Sequence, residues 1–171
     1  MKVINLFAGP GAGKSTVAAG LFHLMKLDGY KVELVTEYAK DIVWAGRHKE
    51  LDDQLYITAK QHHRIFLLKD KVDYCVTDSP LLLSLVYCRM MPQSFFPFVK
   101  DLFHEYENYA VILKRTKPYV LFGRTQTEDE ARALDGQINT LVYSQVPPNM
   151  IFETDGGVLA PEHVLNWIKE Q

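Results

Sequence analysis

Little in the composition of this chain points outward. Only two cysteines occur, Cys75 and Cys88, and they lack metal-ligand spacing. One lies in an apolar run and the other follows one, as reduced, buried or half-buried thiols do. Neither sign of charge dominates: 19 basic against 21 acidic residues leave a net −2 at pH 7. Nothing in that balance announces a nucleic-acid or membrane partner, although a local basic groove is compatible with it. The longest later apolar stretch, around Leu81–Tyr87, is far too short to span a bilayer. The first one breaks at once into glycines, unlike a secretory leader. Low-complexity tracts, internal repeats and linkers are also missing. These absences lead to the expectation of a soluble cytoplasmic protein, monomeric or homo-oligomeric, with one domain over residues 1–171. What is present is ordinary for a globular chain, 47% hydrophobic and 23% charged, and long enough to bury a sizeable core.

Strand and helix patterns alternate. "KVINLFA" (Lys2–Ala8) is a short apolar run ending in glycines, suited to a buried parallel strand. From Lys14, apolar residues recur at Val17, Leu21, Leu24 and Met25, a helical spacing that stops at Asp28-Gly29. Further strands are predicted at Lys31–Thr36, Val72–Asp78, Tyr109–Lys114 and Asn149–Thr154. Helices are predicted between Glu37 and Lys71 with a break near Arg47–Glu50, then at Leu81–Met90, Phe96–Tyr106 and Glu128–Val142. Pro92 and Pro97 mark the break between the second and third of these. The last helix is predicted to start at Pro161, a favourable first-turn position. Five strands separated by helices imply an α/β fold of three layers, a parallel sheet with helices on both faces.

The stretch "FAGPGAGKST" (Phe7–Thr16) falls between the first strand and the first helix. It fits the P-loop pattern G-x-x-x-x-G-K-[ST] except that Ala8 replaces the first glycine. Strand, glycine-rich turn, helix is the context in which backbone N–H groups wrap phosphates at a helix N-terminus. The residues assigned to the nucleotide are Gly9, Pro10, Gly11, Ala12, Gly13, Lys14, Ser15 and Thr16. Lys14 can reach the β- and γ-phosphates of ATP, and Ser15 can place its hydroxyl on Mg²⁺. Ala8 is tolerable at the strand exit if its φ stays negative.

Other candidates follow the remaining strands. Asp78 closes the third and is a second candidate for the Mg²⁺ shell; the alternative is a helix N-cap or turn aspartate, since Ser79-Pro80 follows. Glu37 closes the second, where a carboxylate could deprotonate or orient an attacking hydroxyl; the alternative is a glutamate favouring the helix dipole. "RTKPYVLFGRTQTEDEAR" (Arg115–Arg132) is polar and arginine-bearing, a candidate lid over about 115–132 with Gly123 as hinge. Arg124 is assigned to the transferring phosphoryl charge, and Arg115 and Arg132 to the nucleotide. Within the run Gln61-His62-His63-Arg64, Gln61 could read a base edge and Arg64 could hold an anionic substrate; the alternative for each is a surface residue or a satisfied core residue. Adjacent histidines point in different directions on a helix, which argues against a metal site there. Phe95, Phe96 and Phe98 suit core packing better than substrate stacking. "ETDGG" (Glu153–Gly157) either approaches the adenine through its backbone or is only a turn.

With P-loop, Glu37, Asp78 and arginine segment in this order, the chain resembles the small P-loop kinases of nucleosides and nucleotides. It looks most like the nicotinamide riboside kinase domain and the short AAA-like ATP-binding proteins common in bacteriophages. The residues that carry the resemblance are the P-loop, "TEYAKDI", "VTDSP" and "FGRTQTEDEARALD". It implies a five-stranded parallel sheet of order 2-3-1-4-5, with MgATP at the P-loop and the acceptor beside the second strand. One departure bears on the acceptor. Thymidylate-type kinases follow the third-strand Asp with Arg, and deoxynucleoside kinases have Glu-Arg-Ser there. This chain has Asp78-Ser79-Pro80, which favours a hydroxyl acceptor without a phosphate unless Arg47 or Arg64 substitutes.

The leading expectation is therefore an ATP- and Mg²⁺-dependent kinase that moves the γ-phosphate to a hydroxyl of a nucleoside-like acceptor. Lys14, Glu37, Asp78 and Arg124 would be its catalytic residues and Glu37, Gln61 and Arg64 would bind the acceptor. Alternatives are a nucleoside monophosphate kinase and a kinase acting on 5-hydroxymethyluracil in DNA, for which Lys114, Arg115 and Lys117 could supply a cationic track. An oligomeric motor or assembly ATPase belongs to a different class. A GTP switch is disfavoured because the guanine-reading N-K-x-D motif is absent.

Overall fold

The computed structural model describes residues 1–88, 91–116 and 127–171. Lys117, Gly123 and Arg124 lie outside the described residues, as does most of the segment read as a lid. Five strands form one all-parallel sheet of order β2-β3-β1-β4-β5. They are β1 Lys2–Phe7, β2 Val32–Val35, β3 Tyr74–Thr77, β4 Glu107–Lys114 and β5 Ile151–Asp155. The helices are α1 Lys14–Leu27, α2 Tyr38–Trp44, α3 Gln54–Phe66, α4 Leu83–Tyr87, α5 Phe95–His104, α6 Glu128–Gln145 and α7 Ala160–Lys169. Short 3₁₀ turns occupy His48–Asp52 and Pro148–Met150.

The β1 strand explains the layering. Ile4 and Leu6 point to one face and join Val17, Leu21 and Met25 of α1 and Val164 and Ile168 of α7. Val3 and Phe7 point to the other, where Ile65 of α3, Phe103 of α5 and Ile138 and Val142 of α6 cover them. A strand buried on both faces has no polar side to show, so it reads as a continuous apolar run. The sheet is thereby wound with helices on both faces, as expected.

Some boundaries differ from the sequence reading. Pro97 does not break a helix but sits in the first turn of α5, where a missing N–H costs nothing because first-turn N–H groups have no partner within the helix. Residues 148–150 turn as 3₁₀ before β5 begins. The helix predicted to run on toward Lys71 ends at Phe66, and Asp70 in the turn that follows has a positive φ of 62°.

Register puts the candidates that follow the strands at one edge. Thr77 pairs with both Asn5 and Val35, Ile112 with Phe7, and Lys114 with Asp155. The P-loop, Glu37, Asp78, Arg115 and Gly156 each leave the C-terminal end of a different strand. In open parallel sheets that edge is where ligands bind.

Candidate nucleotide and phosphoryl-transfer site

The P-loop runs from the end of β1 to Lys14, the first residue of α1. Gly11 and Gly13 have φ of 80° and 102°, values an L side chain rarely adopts. Ala8 is buried and is not among the residues of positive φ, so the missing first glycine costs the loop nothing. Gly13 caps α1 without a side-chain acceptor, and no acidic residue occupies the first turn. The first-turn N–H groups of α1 thus form an anion site of the kind phosphates use. Lys14 folds back over the loop, its Nζ donating to the carbonyl oxygens of Ala8 (2.7 Å) and Gly9 (3.3 Å). Burial pushes its ammonium below the usual value, and the carboxylates of Glu37, Asp78 and Asp135 act in the opposite direction.

Two of those carboxylates were expected here. Asp78 is 3% exposed, and its Oδ1 has no hydrogen-bond partner. It is not an N-cap: α4 starts five residues later at Leu83, and the Ser79 N–H goes to Thr77 Oγ1 (3.1 Å). A buried carboxylate oxygen without a partner is costly unless something else occupies its lone pairs. Together with the exposed Ser15 hydroxyl it has the hard oxygen chemistry that Mg²⁺ takes, and Mg²⁺ completes its shell with phosphates and water rather than a protein cage. The described residues contain no cluster of three or more His, Cys, Asp or Glu side chains arranged for a metal. Glu37 occupies the N-cap position of α2 but makes no side-chain cap bond. Burial pushes its carboxyl above the usual value, with Asp78 adding to the rise and Lys14 opposing it.

Gln61 and Arg64 converge on the turn that carries Glu37. Gln61 is 3% exposed. Its Oε1 accepts the Tyr38 N–H (2.9 Å) and its Nε2 donates to the Thr36 carbonyl (3.3 Å), one bond on each side of Glu37. The amide expected to read a base edge is here engaged with backbone. Arg64 donates to the same Thr36 carbonyl (3.1 Å), pairs with Asp41 and lies over the Tyr38 ring. The neighbouring Tyr38 and Tyr56 hydroxyls share a hydrogen bond of 2.7 Å, and Arg47 pairs with Glu50 nearby.

On the other side of the P-loop, Arg115 follows β4 with a side chain 4% exposed. Its Nη1 donates to the Pro10 carbonyl (2.8 Å), and its Nε and Nη2 pair with Asp135 of α6 at 3.1–3.4 Å. Asp135 Oδ1 also accepts the Gly9 N–H (2.6 Å). Asp135 was missed in the sequence, although a signal existed: Ala131, Ile138 and Val142 form a buried stripe on α6, and Asp135 interrupts its spacing. Arg132, by contrast, is 61% exposed and paired with Glu128 at i,i+4. "ETDGG" meets the loop itself. The Gly156 N–H bonds the Lys114 carbonyl (2.8 Å), and a Cβ on Gly156 would overlap the Ala12 carbonyl oxygen.

Comparison with known proteins agrees with this architecture. Residues 3–147 match a family described as an AAA domain. Over the full length of both chains, the fold resembles that of a deoxyadenosine kinase from M. mycoides, solved with the products dCMP and a flexible dCDP bound. The TM-score is 0.57 at 16% identity, a likeness of fold. No curated protein matches the chain significantly. With a P-loop at the C-terminal edge of a 2-3-1-4-5 sheet and a match over most of its length, the chain belongs to this AAA-domain family of P-loop NTPases.

Proposed function

We propose that the protein is an ATP-dependent phosphotransferase that moves the γ-phosphate to a hydroxyl of a nucleoside-like acceptor. The observation that carries the reading is the placing of two carboxylates of different character at the strand ends beside the P-loop, where both act on the Lys14 charge. Asp78 is buried with an unpartnered oxygen, and Glu37 stands on the next strand without capping its helix. The P-loop amides bind the phosphates, and Lys14 leaves its contacts with the loop carbonyls to reach the β- and γ-oxygens. Ser15 and Asp78 hold Mg²⁺, which when bound neutralises charge on the phosphates. Glu37 takes or orients the acceptor proton, and its raised affinity for that proton suits a general base better than a fully solvated carboxylate would. Gln61 fixes the Glu37 backbone, and Arg64 and Arg47 border the acceptor side. The roles of Arg124 toward the transferring phosphate and of Arg132 toward the nucleotide belong to the same proposal.

The test is a transfer screen with γ-labelled ATP against nucleosides, nucleoside monophosphates, nicotinamide riboside and DNA containing 5-hydroxymethyluracil. Transfer to one of these, abolished by Glu37→Gln, is expected. Rapid ATP turnover that none of them changes would instead support a motor or assembly ATPase. That second reading draws on the AAA-domain match and requires an oligomer that presents an arginine to a neighbour's nucleotide.

A further inference from the structure

Three backbone oxygens and one N–H at the start of the P-loop have partners from two opposite sides. From the nucleotide side, Lys14 Nζ holds the Ala8 and Gly9 carbonyls. From the other, Asp135 takes the Gly9 N–H and Arg115 donates to the Pro10 carbonyl. Pro10 has no N–H, so Gly9 is the donor this corner offers. The arrangement is tight: a Cβ on Gly9 would lie 2.6 Å from the Ala131 carbonyl oxygen and 2.7 Å from Asp135 Oδ1. Gly9 is therefore a glycine for the approach of α6, while Gly11 and Gly13 are the glycines of the phosphate cradle.

The two sets of partners cannot all persist when nucleotide binds. Lys14 must turn toward the phosphates, which frees the Ala8 and Gly9 carbonyls and leaves the Asp135–Arg115 pair to hold the corner. We infer that Asp135 and Arg115 are positioning residues that clamp the Gly9–Pro10 corner of the P-loop to α6, and that this clamp is energetically coupled to phosphate binding. The inference rests on the nucleotide-site reading above. Arg115 is nearly fully buried and meets Asp135 through two nitrogens, a geometry that resists exchange with water. Asp135 is also one of the three carboxylates that favour the charged form of Lys14. Because coupling is reciprocal, nucleotide must tighten α6 by as much as the clamp tightens nucleotide.

The experiment has two arms. MgADP is titrated calorimetrically into the wild-type chain, Asp135→Asn, Arg115→Gln, the double variant and Lys14→Met. Asparagine keeps an acceptor for Gly9 N–H but loses the ion pair. Each single variant is expected to bind about tenfold more weakly, and the double variant no more weakly than either, as for groups that act as one unit. In the second arm, amide exchange of the wild-type chain is followed with and without MgADP, and residues 128–135 are expected to slow on binding. Wild-type affinity in both single variants, losses that multiply in the double, or unchanged α6 exchange would each overturn the clamp. A merely structural pair would lower the melting temperature and leave affinity intact. If a variant does not fold, the exchange arm on the wild-type chain still decides. A wild-type chain that binds no MgADP overturns the nucleotide site itself. Binding that Lys14→Met abolishes keeps that site even when the clamp fails.

Discussion

Glu37 is the residue on which chemistry and stability pull in opposite directions. Burial raises its carboxyl above the ordinary value of 4.5 even though Lys14 is close enough to oppose the shift. The folded chain therefore holds this proton more tightly than the unfolded chain does. Stability contributed at this position falls as pH rises from about 4.5 through the folded value, and at neutral pH the ionised carboxylate is a cost. The proposed base must be ionised to act, so the acid limb of kcat/KM is expected above the range of an ordinary carboxylate. Glu37→Gln should then lose roughly 10²- to 10⁴-fold in transfer while melting at or above the wild-type temperature at neutral pH. The difference in melting temperature should close below pH 4.5. Thermal melts across pH and initial-rate profiles check both halves, and a variant that melts lower at neutral pH would refute the assignment. The sequence showed that a glutamate closes the second strand. It could not show that the side chain leaves α2 without a cap bond, because that depends on its rotamer and on what buries it rather than on its place in the chain.

At the level of elements, strand ends determine the site, and what they touch was the part hidden in the sequence. The parallel pattern of β1, the glycines and Lys14 were legible because local periodicity and backbone torsion write them directly. The partners of Asp135 and Gly156 were not, since each touches a segment more than a hundred residues away, although the buried stripe of α6 marked Asp135 as out of place. Gln61 shows the reverse case: a polar residue on a helix face reads equally as a ligand or as satisfied core, and its buried amide serves the backbone on either side of Glu37. Gly156 offers a clean test of contact against torsion, because its φ is not positive. An added Cβ would overlap the Ala12 carbonyl oxygen, which belongs to the P-loop backbone and cannot swing aside as a side chain would. Gly156→Ala is expected to weaken MgADP binding about tenfold and to cost about 1–3 kcal/mol of stability from overpacking. Gly157→Ala, whose Cβ would meet nothing within 4 Å, should be neutral in the same titration and melt. Equal affinities for the two variants would remove the contact between β5 and the P-loop from the account of the site.

Taken as a whole molecule, the chain is a doubly covered sheet whose strand-end candidates gather at one rim. Its two cores share no helix: α1 and α7 fill one, and α3 to α6 fill the other. The alternation of strands and helices was enough to predict a parallel three-layer fold, but strand order was not readable from periodicity and came from family resemblance. Order depends on which face each crossover covers, and that is decided by packing between distant helices. The rim joins both cores through the P-loop, which leaves β1 into α1 on one face and meets Asp135 of α6 on the other. Ligand bound there should stabilise the entire domain. At a concentration of MgADP about 100 times its Kd, linkage supplies about 2.7 kcal/mol. For a chain of this size, a shift in melting temperature of roughly 5–10 °C follows. Lys14→Met should abolish the shift. Chelating Mg²⁺ should shrink it, because Ser15 and the unpartnered oxygen of Asp78 are the groups that would hold the ion in the proposed site. An undiminished shift in excess chelator would detach Asp78 from the metal and leave its buried oxygen to be explained by the fold alone.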